Sequence, residues 1–146
     1  MGYREVVKYL VTHRLAGNSI ILFSVRDYFV ENLSPSDIAH RYKISKFKIR
    51  GYVGRVQSFV DNRFFVVREV IRRVFPLVMD YDPVILRLNG KYYCLLCDKY
   101  FTPSNWEESA VLAMHVRYRH RRHVERCVDE IMERAGLVRH APQGIR

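Results

Sequence analysis

Residues 92–101 read YYCLLCDKYF and contain two of the three cysteines of the chain, Cys94 and Cys97. Two cysteines separated by two residues are typical of a redox pair or of half a metal site, and they also arise by chance. A redox pair needs an accessible thiol and usually lies between a strand and a helix. Here the pair follows Asn89-Gly90, a strong signal for a two-residue hairpin turn, and precedes a predicted loop. The pattern favours a metal site, while a redox pair and coincidence stay open.

Suitable partners for the two thiols lie further along the chain, in HVRYRH at residues 115–120. Zinc usually takes four ligands in a tetrahedron, and thiolates and imidazoles are its common ligands. Two histidines five residues apart are about 1.4 helical turns apart, so both rings reach one side if the helix loosens slightly. We predict one structural Zn²⁺ ion bound by Cys94, Cys97, His115 and His120. The alternative fourth ligand is His123, whose spacing is poorer.

The match to a known pattern extends beyond these four side chains. The segment resembles the two-cysteine two-histidine zinc finger: Phe101 lies four residues after the second cysteine, Leu112 three residues before the first histidine, and Tyr92 or Tyr93 just before the first cysteine. The resemblance implies a ββα fold that needs zinc to form, because a core of Tyr93, Phe101 and Leu112 is too small to be stable alone. Ten residues separate Phe101 from Leu112 where the family usually has five, which implies a longer loop or an extra helical turn.

The same resemblance predicts which finger residues would face DNA bases. They lie one, four, five and seven residues before the first histidine, and here they are Met114, Val111, Ala110 and Glu108. None of them is Arg, Asn, Gln or Lys, the residues that commonly read base edges. We therefore predict that the finger is a structural or docking module that packs against another protein or against the rest of this chain. Arg117 and Arg121, in an arginine-rich run, are predicted to contact phosphates, and a merely solvated helix face is the alternative.

Charge and composition point to the kind of partner. The formal net charge is +10, and 19 of the 25 basic residues are Arg. The planar guanidinium fork suits phosphate oxygens, so this composition favours a nucleic-acid partner. A solubility or high-temperature bias is the alternative, and the presence of only two Gln and two Thr is typical of a thermophilic source.

No apolar run approaches the roughly 20 residues that span a bilayer, and no signal peptide or myristoylation pattern is visible, so we expect an intracellular protein without a membrane partner.

Residues 1 to about 80 are predicted to form successive helices. The first places Val6, Val7, Leu10 and Val11 on one face and ends at Ala16-Gly17-Asn18, and Asn18 or Ser19 is expected to cap the second. Ser34 is expected to cap a third helix that begins near Pro35, and a fourth covers about Ser45 to Phe59. A fifth follows Asn62, has Phe65, Val66, Val70, Val74 and Phe75 on its inner face, and ends at Pro76.

The character of the sequence changes after about residue 80. Val84–Leu88 is predicted to be a strand, Asn89-Gly90 a turn, and Lys91 the start of the return strand. A long helix is predicted from about Asn105 to Ala135, started by a capping box of Ser104 and Glu107 and ended by Gly136. Its buried face is expected to include Cys127, together with Val124, Ile131 and Met132.

A second resemblance lies in the helical half, in PSDIAHRYKISKFKIRGYVGRV at residues 35–56. This segment resembles the helix-turn-helix of transcription regulators: Ala39 lies where the two helices would cross, and Ser45 can cap the second. The apolar positions of the motif are filled by Ile38, Tyr42, Ile44 and Ile49. The chain departs from the motif at Lys43, where the turn prefers glycine, and at Gly51 and Gly54 inside the second helix, which could allow close approach to DNA or to another helix.

The charges of this segment agree with the resemblance. Residues 41–55 contain six basic residues and no acidic one. A recognition helix places its N-terminal residues in the major groove, which implies base contacts from Ser45, Lys46 and Arg50, and phosphate contacts from Lys43, Lys48 and Arg55. Phe47 is expected either to touch a thymine methyl or to pack in the core.

Together these patterns predict a mainly α protein with a helix-turn-helix domain at 1–80, a zinc finger with a long helix at 81–136 and a flexible tail at 137–146. The combination resembles transcription regulators of thermophilic archaea and their viruses. The predicted function is regulation of transcription through double-stranded DNA, without catalytic residues. The alternatives are a zinc-dependent adaptor that binds a protein such as RNA polymerase, and an RNA-binding protein. A homodimer is a further expectation, because such domains commonly bind palindromes.

Overall fold

A computed structural model describes residues 2–102 and 107–138, and over these ranges the protein is mainly helical with one small sheet. This confirms the predicted fold class at the level of mainly α. The helices of the first half are α1 (Gly2–Ala16), α2 (Ser19–Phe29), α3 (Pro35–Tyr42), α4 (Lys46–Ser58) and α5 (Phe64–Met79). The second half contains β1 (Ile85–Leu88), β2 (Lys91–Cys94), β3 (Lys99–Phe101), α6 (Glu108–Met114), a π-helical turn (His115–Arg119) and α7 (Arg121–Arg134).

Helix α1 lies at the centre of the molecule and packs against α2, α5, α6 and α7. The apolar face predicted from its 3.6-residue period is fully buried, with Val6, Val7 and Leu10 at 0% exposure. Burial of one such side chain contributes about 1.5–3 kcal/mol to stability. Gly17 ends the helix as predicted, because its φ of +82° lies in the left-handed region that favours glycine.

Three predictions for the helical half are wrong in detail. Helix α5 continues through Pro76 to Met79, because Pro76 and Arg72 lie on its solvent-exposed face, where water can bind the carbonyl that proline leaves unpaired. Val70, Val74 and Phe75 are buried as predicted, but Phe65 is 75% exposed, because on the first turn of α5 it is Phe64 that packs against the core. Asn18 occupies the N-cap position of α2 without capping it.

A buried carboxylate joins α2 to α3. Asp27 is fully buried, and its Oδ2 accepts a 2.6 Å hydrogen bond from the Tyr42 hydroxyl and a 3.2 Å contact from Arg41. Its Oδ1 lies 3.0 Å from Arg26. A buried charge is tolerated only when it is paired and hydrogen-bonded, so these partners explain how Asp27 can fix the position of α3.

The sheet is an antiparallel meander in the order β1-β2-β3. Asn89 and Gly90 have φ of +52° and +77°, as a type I′ turn requires, which confirms the predicted hairpin and its register of Leu88 opposite Lys91. Strand β3 was not predicted, because three residues are too few to show an alternating pattern. It pairs with β2 and places Phe101 opposite Tyr92.

The long predicted helix is interrupted. Helix α6 begins at Glu108, and a π-helical turn from His115 to Arg119 separates it from α7. The proposed cap Ser104 and the proposed start at Asn105 lie outside the described residues, as do residues 139–146 of the predicted tail. The predicted end is confirmed: Gly136 has φ of +73°, and Leu137 N donates to Met132 O at 2.8 Å, which closes a Schellman motif.

Helix α7 packs along α1 and joins the two halves of the chain. Its buried face includes Cys127, as predicted, with Val124, Val128, Ile131 and Met132. Arg4 and Lys8 of α1 form ion pairs with Glu125, and the Lys8 pair is 2.6 Å long. Buried side chains of the helical half and of the finger therefore belong to one continuous core. The division into domains at residue 80 stays a prediction.

Candidate functional site

Cys94 and Cys97 are presented by the turn that links β2 to β3. Cys94 is the last residue of β2 and is fully buried, whereas Cys97 lies in the turn and is partly exposed. The turn is closed by Asp98 N, which donates to Cys94 O at 2.8 Å, and Asp98 has a left-handed φ of +57°. Asp tolerates this conformation better than most residues. The tight turn brings both sulfur atoms to one side.

His115 and His120 are presented by the π-helical turn. A π-helix closes hydrogen bonds between residues five apart, so it has more residues per turn than an α-helix, and residues five apart come closer to one face. His120 then leaves helical geometry, with φ of −120° and ψ of 39°. For both histidine rings to reach one side, the predicted α-helix had to loosen slightly. In the structure this loosening is a local change from α-helix to π-helix.

The four predicted ligands form one cluster, in which every ligand atom lies within 4.8 Å of the others. Cys94 Sγ is 3.3 Å from His120 Nε2, and Cys97 Sγ is 3.7 Å from His115 Nε2. A tetrahedral zinc ion with bonds of about 2.3 Å to sulfur and about 2.0–2.1 Å to nitrogen separates such atoms by about 3.6 Å. The donor set and the spacing therefore fit a metal ion with zinc's coordination.

The protonation states of the cluster suit metal binding. Burial lowers the pKa of His115 and of His120, which keeps both imidazoles neutral near pH 7 and able to donate a lone pair. Burial also raises the pKa of the Cys94 thiol. A cation bound between the two sulfur atoms would oppose this effect and release protons from the thiols.

Aromatic and apolar side chains of the finger pack beside the four ligand residues. The ring of Phe101 stacks on His115 with centroids 4.4 Å apart, and Tyr92 packs against Phe101 at 5.3 Å. Leu112 and Val116 are completely buried. The predicted small core contained Tyr93, which is wrong: Tyr92 points inward, and Tyr93 packs against Tyr100.

The second candidate site is the α3–α4 unit, whose two helices are joined by residues 43–45. Lys43 has φ of +59° and ψ of 46°, so the left-handed turn is formed although the residue is not glycine. Ser34 and Ser45 cap α3 and α4 as predicted, accepting from Asp37 N and Phe47 N. Ile38 and Ile49 are fully buried. These contacts fix α4 relative to α3.

The solvent-facing side of α4 is basic. Lys43, Lys46, Arg50 and Arg55 are all exposed, as is Ser45, whose hydroxyl is engaged in capping. Phe47 is 74% exposed, so its alternative as a core residue is wrong, and the Arg50 guanidinium lies 5.9 Å from its ring centroid. Lys48 forms a 3.0 Å ion pair with Glu107, which links α4 to the start of α6.

Two of the four predicted base-facing residues of the finger helix border the helical half. Ala110 and Met114 line a cleft between α6, α1 and α4, while Glu108 accepts a 2.5 Å hydrogen bond from the Tyr92 hydroxyl. The side-chain amide of Asn18 donates a 2.9 Å hydrogen bond to Ser109 O, which links α6 to the turn between α1 and α2. Internal packing of this face is one of the two alternatives that the sequence predicted.

The arginine-rich run faces solvent. Arg117 lines the cleft together with Lys48 and Arg55, so basic residues of both halves surround one opening. Further along, a shallow basic depression adjoins His120 and is lined by Arg119, Arg121, Arg122 and Arg126. Tyr118 borders both the cleft and the depression, which places them next to each other.

Several residues that position the two sites were not predicted. Asp27, Asn18, Glu107 and Glu108 connect elements that are far apart in sequence. Asp27 carried one usable signal, because it is the single acidic residue of helix α2.

Comparison with known proteins gave no family model, no curated protein and no solved structure that matches the chain. Among the described residues, none of the helices has both the length and the apolar character needed to cross a membrane.

Proposed function

We propose that this protein is a DNA-binding regulator of transcription in which α4 enters the major groove and a structural Zn²⁺ ion holds the finger helix against the helical half. The observation that carries the proposal is the exposed basic side of α4. Lys46 and Arg50 lie on one flank of the exposed surface, Lys48 and Arg55 lie on the flank that borders the cleft, and α3 supports the helix through a short, well-capped turn. This resembles the helix-turn-helix arrangement, in which the second helix contacts bases near its N-terminus.

Individual roles follow from position along α4. Lys46 and Arg50 lie on the exposed side near the N-terminus of the helix and are proposed to contact base edges, while Phe47 beside Arg50 is available for a thymine methyl. Lys43, Lys48 and Arg55 are proposed to contact phosphates. Ser45 is also proposed to contact a base edge, because its hydroxyl accepts from Phe47 N and still has its O–H group to donate.

The finger is proposed to contribute affinity rather than sequence specificity. Its helix turns Ala110 and Met114 toward the cleft, whereas Arg117 and Arg121 are exposed to solvent on the side that adjoins the cleft. Contacts to phosphates position a protein on the duplex without reading sequence. The protein would act by occupying a promoter and would perform no chemistry.

The test is a binding titration of the zinc-loaded protein on a 30-bp duplex over a range of salt concentrations. If the protein contacts about six phosphates, a plot of the logarithm of the binding constant against log[salt] should have a slope of about −5. The double variant Lys43→Ala/Arg55→Ala, at two proposed phosphate contacts, should reduce the slope by about 2 and the affinity by at least about tenfold. Arg72→Ala/Arg73→Ala, on the exposed side of α5, is the matched control. A shallow slope, or equal losses in both double variants, would contradict the proposal.

The adaptor alternative is favoured by one observation. The sheet of the finger and the turn between β2 and β3 expose large apolar side chains. The exposed fractions are 41% for Leu88, 54% for Leu95 and 62% for Tyr100. Exposed apolar side chains that form a patch are typical of protein-binding surfaces. If Leu95→Asp abolishes capture of a protein partner while DNA binding is unchanged or absent, the adaptor is the better description.

A further inference from the structure

The cleft between the two halves of the molecule has the dimensions of a small-molecule site. Its volume is about 500 Å³, and it lies between α1, α4 and the finger helix. Pockets for small ligands typically measure about 300–1,000 Å³ and are largely apolar with a few polar groups. Apolar atoms form the larger part of the lining surface here, and the residues that contribute them include Tyr9, Ile21, Phe59, Ala110 and Met114.

Two cations from opposite halves of the chain line the cleft. Arg55 comes from α4 and Arg117 from the π-helical turn, and neither guanidinium is ion-paired with an acid among the described residues. Both act on the same group, because they add to the burial that lowers the pKa of His13 to about 4. The other two cations of the lining are paired, Lys48 with Glu107 and Lys8 with Glu125.

The lining is positive overall, because it contains four cations, Lys8, Lys48, Arg55 and Arg117, and two acids, Glu5 and Glu107. Of the two acids, Glu5 forms no ion pair among the described residues. A ligand with one anionic group would be attracted by the excess of positive charge, and Arg55 and Arg117 are the two cations of the lining that are not already paired.

Polar groups with unused hydrogen-bonding capacity also line the cleft. The Thr12 hydroxyl is buried and has no hydrogen-bond partner among the described residues. His13 Nδ1 accepts from the Asn18 side-chain amide at 2.9 Å, so the neutral ring has its proton on Nε2. Nε2 donates to no described residue, and His13 lines the cleft. Buried polar groups are almost always paired, which indicates that these two are available to a ligand.

We infer that the cleft binds a small organic anion, with its carboxylate, sulfonate or phosphate between Arg55 and Arg117 and its aromatic or aliphatic body on the apolar lining. The site itself does not depend on the function proposed above. Its regulatory consequence does, because Arg55 and Arg117 are also proposed phosphate contacts. A bound anion would occupy them and lower the affinity for DNA.

A matched pair of fluorescent probes tests the site without DNA. 8-Anilinonaphthalene-1-sulfonate carries an anionic group on an aromatic body, and N-phenyl-1-naphthylamine has the same body without the charge. We expect the zinc-loaded protein to bind the sulfonate with a stoichiometry of one and at least tenfold more tightly than the neutral probe. Equal affinity for the two probes would overturn the proposal.

Variants locate the bound probe. Arg55→Ala and Arg117→Ala should each weaken sulfonate binding by about tenfold or more, and Arg72→Ala on α5 should leave it unchanged. Gly51→Leu should block the cleft, and it should fold, because a Cβ at Gly51 meets no atom within 4 Å. Each variant is accepted for the comparison after its zinc content and circular dichroism match the parent. Unchanged binding in both Arg55→Ala and Gly51→Leu would place the probe elsewhere and overturn the proposal.

Competition with duplex DNA tests the regulatory consequence. If both ligands need Arg55 and Arg117, added duplex should displace the sulfonate probe, and saturating probe should weaken DNA binding several-fold. Simultaneous binding without mutual effect would overturn the regulatory part alone. A protein that binds the probe at this cleft but binds no duplex would retain the site and contradict the proposed function, so the two failures can be distinguished.

Discussion

The metal cluster and the α4 surface are both built from side chains that the sequence singles out, yet they differ in what completes them. The four cluster residues face one another across less than 5 Å, so their geometry alone defines what they can bind. Lys46 and Arg50 are exposed and form no ion pair among the described residues, so only a partner can complete their interactions. A closed site can be identified from spacing within the chain, whereas an open site has to be tested with its ligand.

The largest predicted effect breaks the closed site. Cys94→Ser should remove the metal, because loss of one thiolate leaves three ligands and a buried hydroxyl that binds zinc weakly. Structural zinc contributes about 10–16 kcal/mol of apparent binding energy in small fingers at pH 7. Native mass spectrometry should find one zinc ion in the parent and none in the variant, with loss of ordered structure around the β2–β3 turn.

Cys127→Ser is the matched control for this experiment. Cys127 is buried on α7, about 4% exposed, and lies outside the cluster. We expect it to retain one zinc ion and to lose only some core stability. Equal zinc content in the parent and in Cys94→Ser would exclude the proposed metal site.

The same contrast explains how much the sequence could predict. The Cys94–His120 cluster and the Asn89-Gly90 turn depend on short-range rules, and both were predicted correctly. Three other features depend on the positions of α1 and of solvent, which no local sequence pattern specifies. They are the interruption of the finger helix, the inward orientation of Ala110 and the continuation of α5 through Pro76. Asn18 shows the limit most clearly: the local rule predicted a cap, but its side chain bonds Ser109, 91 residues away.

A second prediction concerns the link that holds the open site in place. Asp27→Asn should destabilise the protein by about 2–4 kcal/mol, because it removes a fully buried charge from Tyr42, Arg41 and Arg26. Tyr42→Phe removes one hydrogen bond to the same carboxylate and should cost about 1.5–3 kcal/mol. Urea denaturation measures both changes. Asp37→Asn, at an exposed position on α3, is the control and should change stability by less than about 0.5 kcal/mol.

If α3 is held by Asp27 as described, both variants should also weaken DNA binding at concentrations where the protein is still folded. Full DNA affinity in a folded Asp27→Asn protein would mean that the position of α3 does not control the α4 surface.

A third prediction separates acid effects on the core from those on the metal site. Burial, with contributions from Arg55 and Arg117, lowers the pKa of His13 from 6.5 to about 4. The unfolded chain therefore takes up a proton more readily, and the free energy of unfolding falls as the pH decreases from about 6.5 to about 4. The difference corresponds to a loss of up to about 3 kcal/mol.

Denaturation of His13→Gln over this pH range measures that contribution. Glutamine does not titrate, so the variant should show a shallower loss of stability than the parent, while protonation of the metal ligands affects both proteins equally. Tyr9, Arg55 and Arg117 face His13 and are unchanged in the comparison. His40→Gln, at an exposed position, should follow the parent. Parallel curves for the parent and His13→Gln would refute the assignment.

The smallest predicted effect lies on α4 itself and has opposite signs for stability and for binding. Gly54 is exposed in mid-helix, and a Cβ there would meet no atom within 4 Å, so Gly54→Ala should stabilise the protein by about 0.5–1 kcal/mol. Nothing in the packing of the described residues requires glycine at this position. If α4 approaches a DNA backbone closely, the added methyl group should weaken DNA binding although the protein is more stable. Ser58→Ala, on the same helix, provides the comparison for an exposed change. Higher stability with unchanged DNA affinity would show that this turn of α4 does not lie against the duplex, and the interface would then be confined to the end of the helix that carries Lys46 and Arg50.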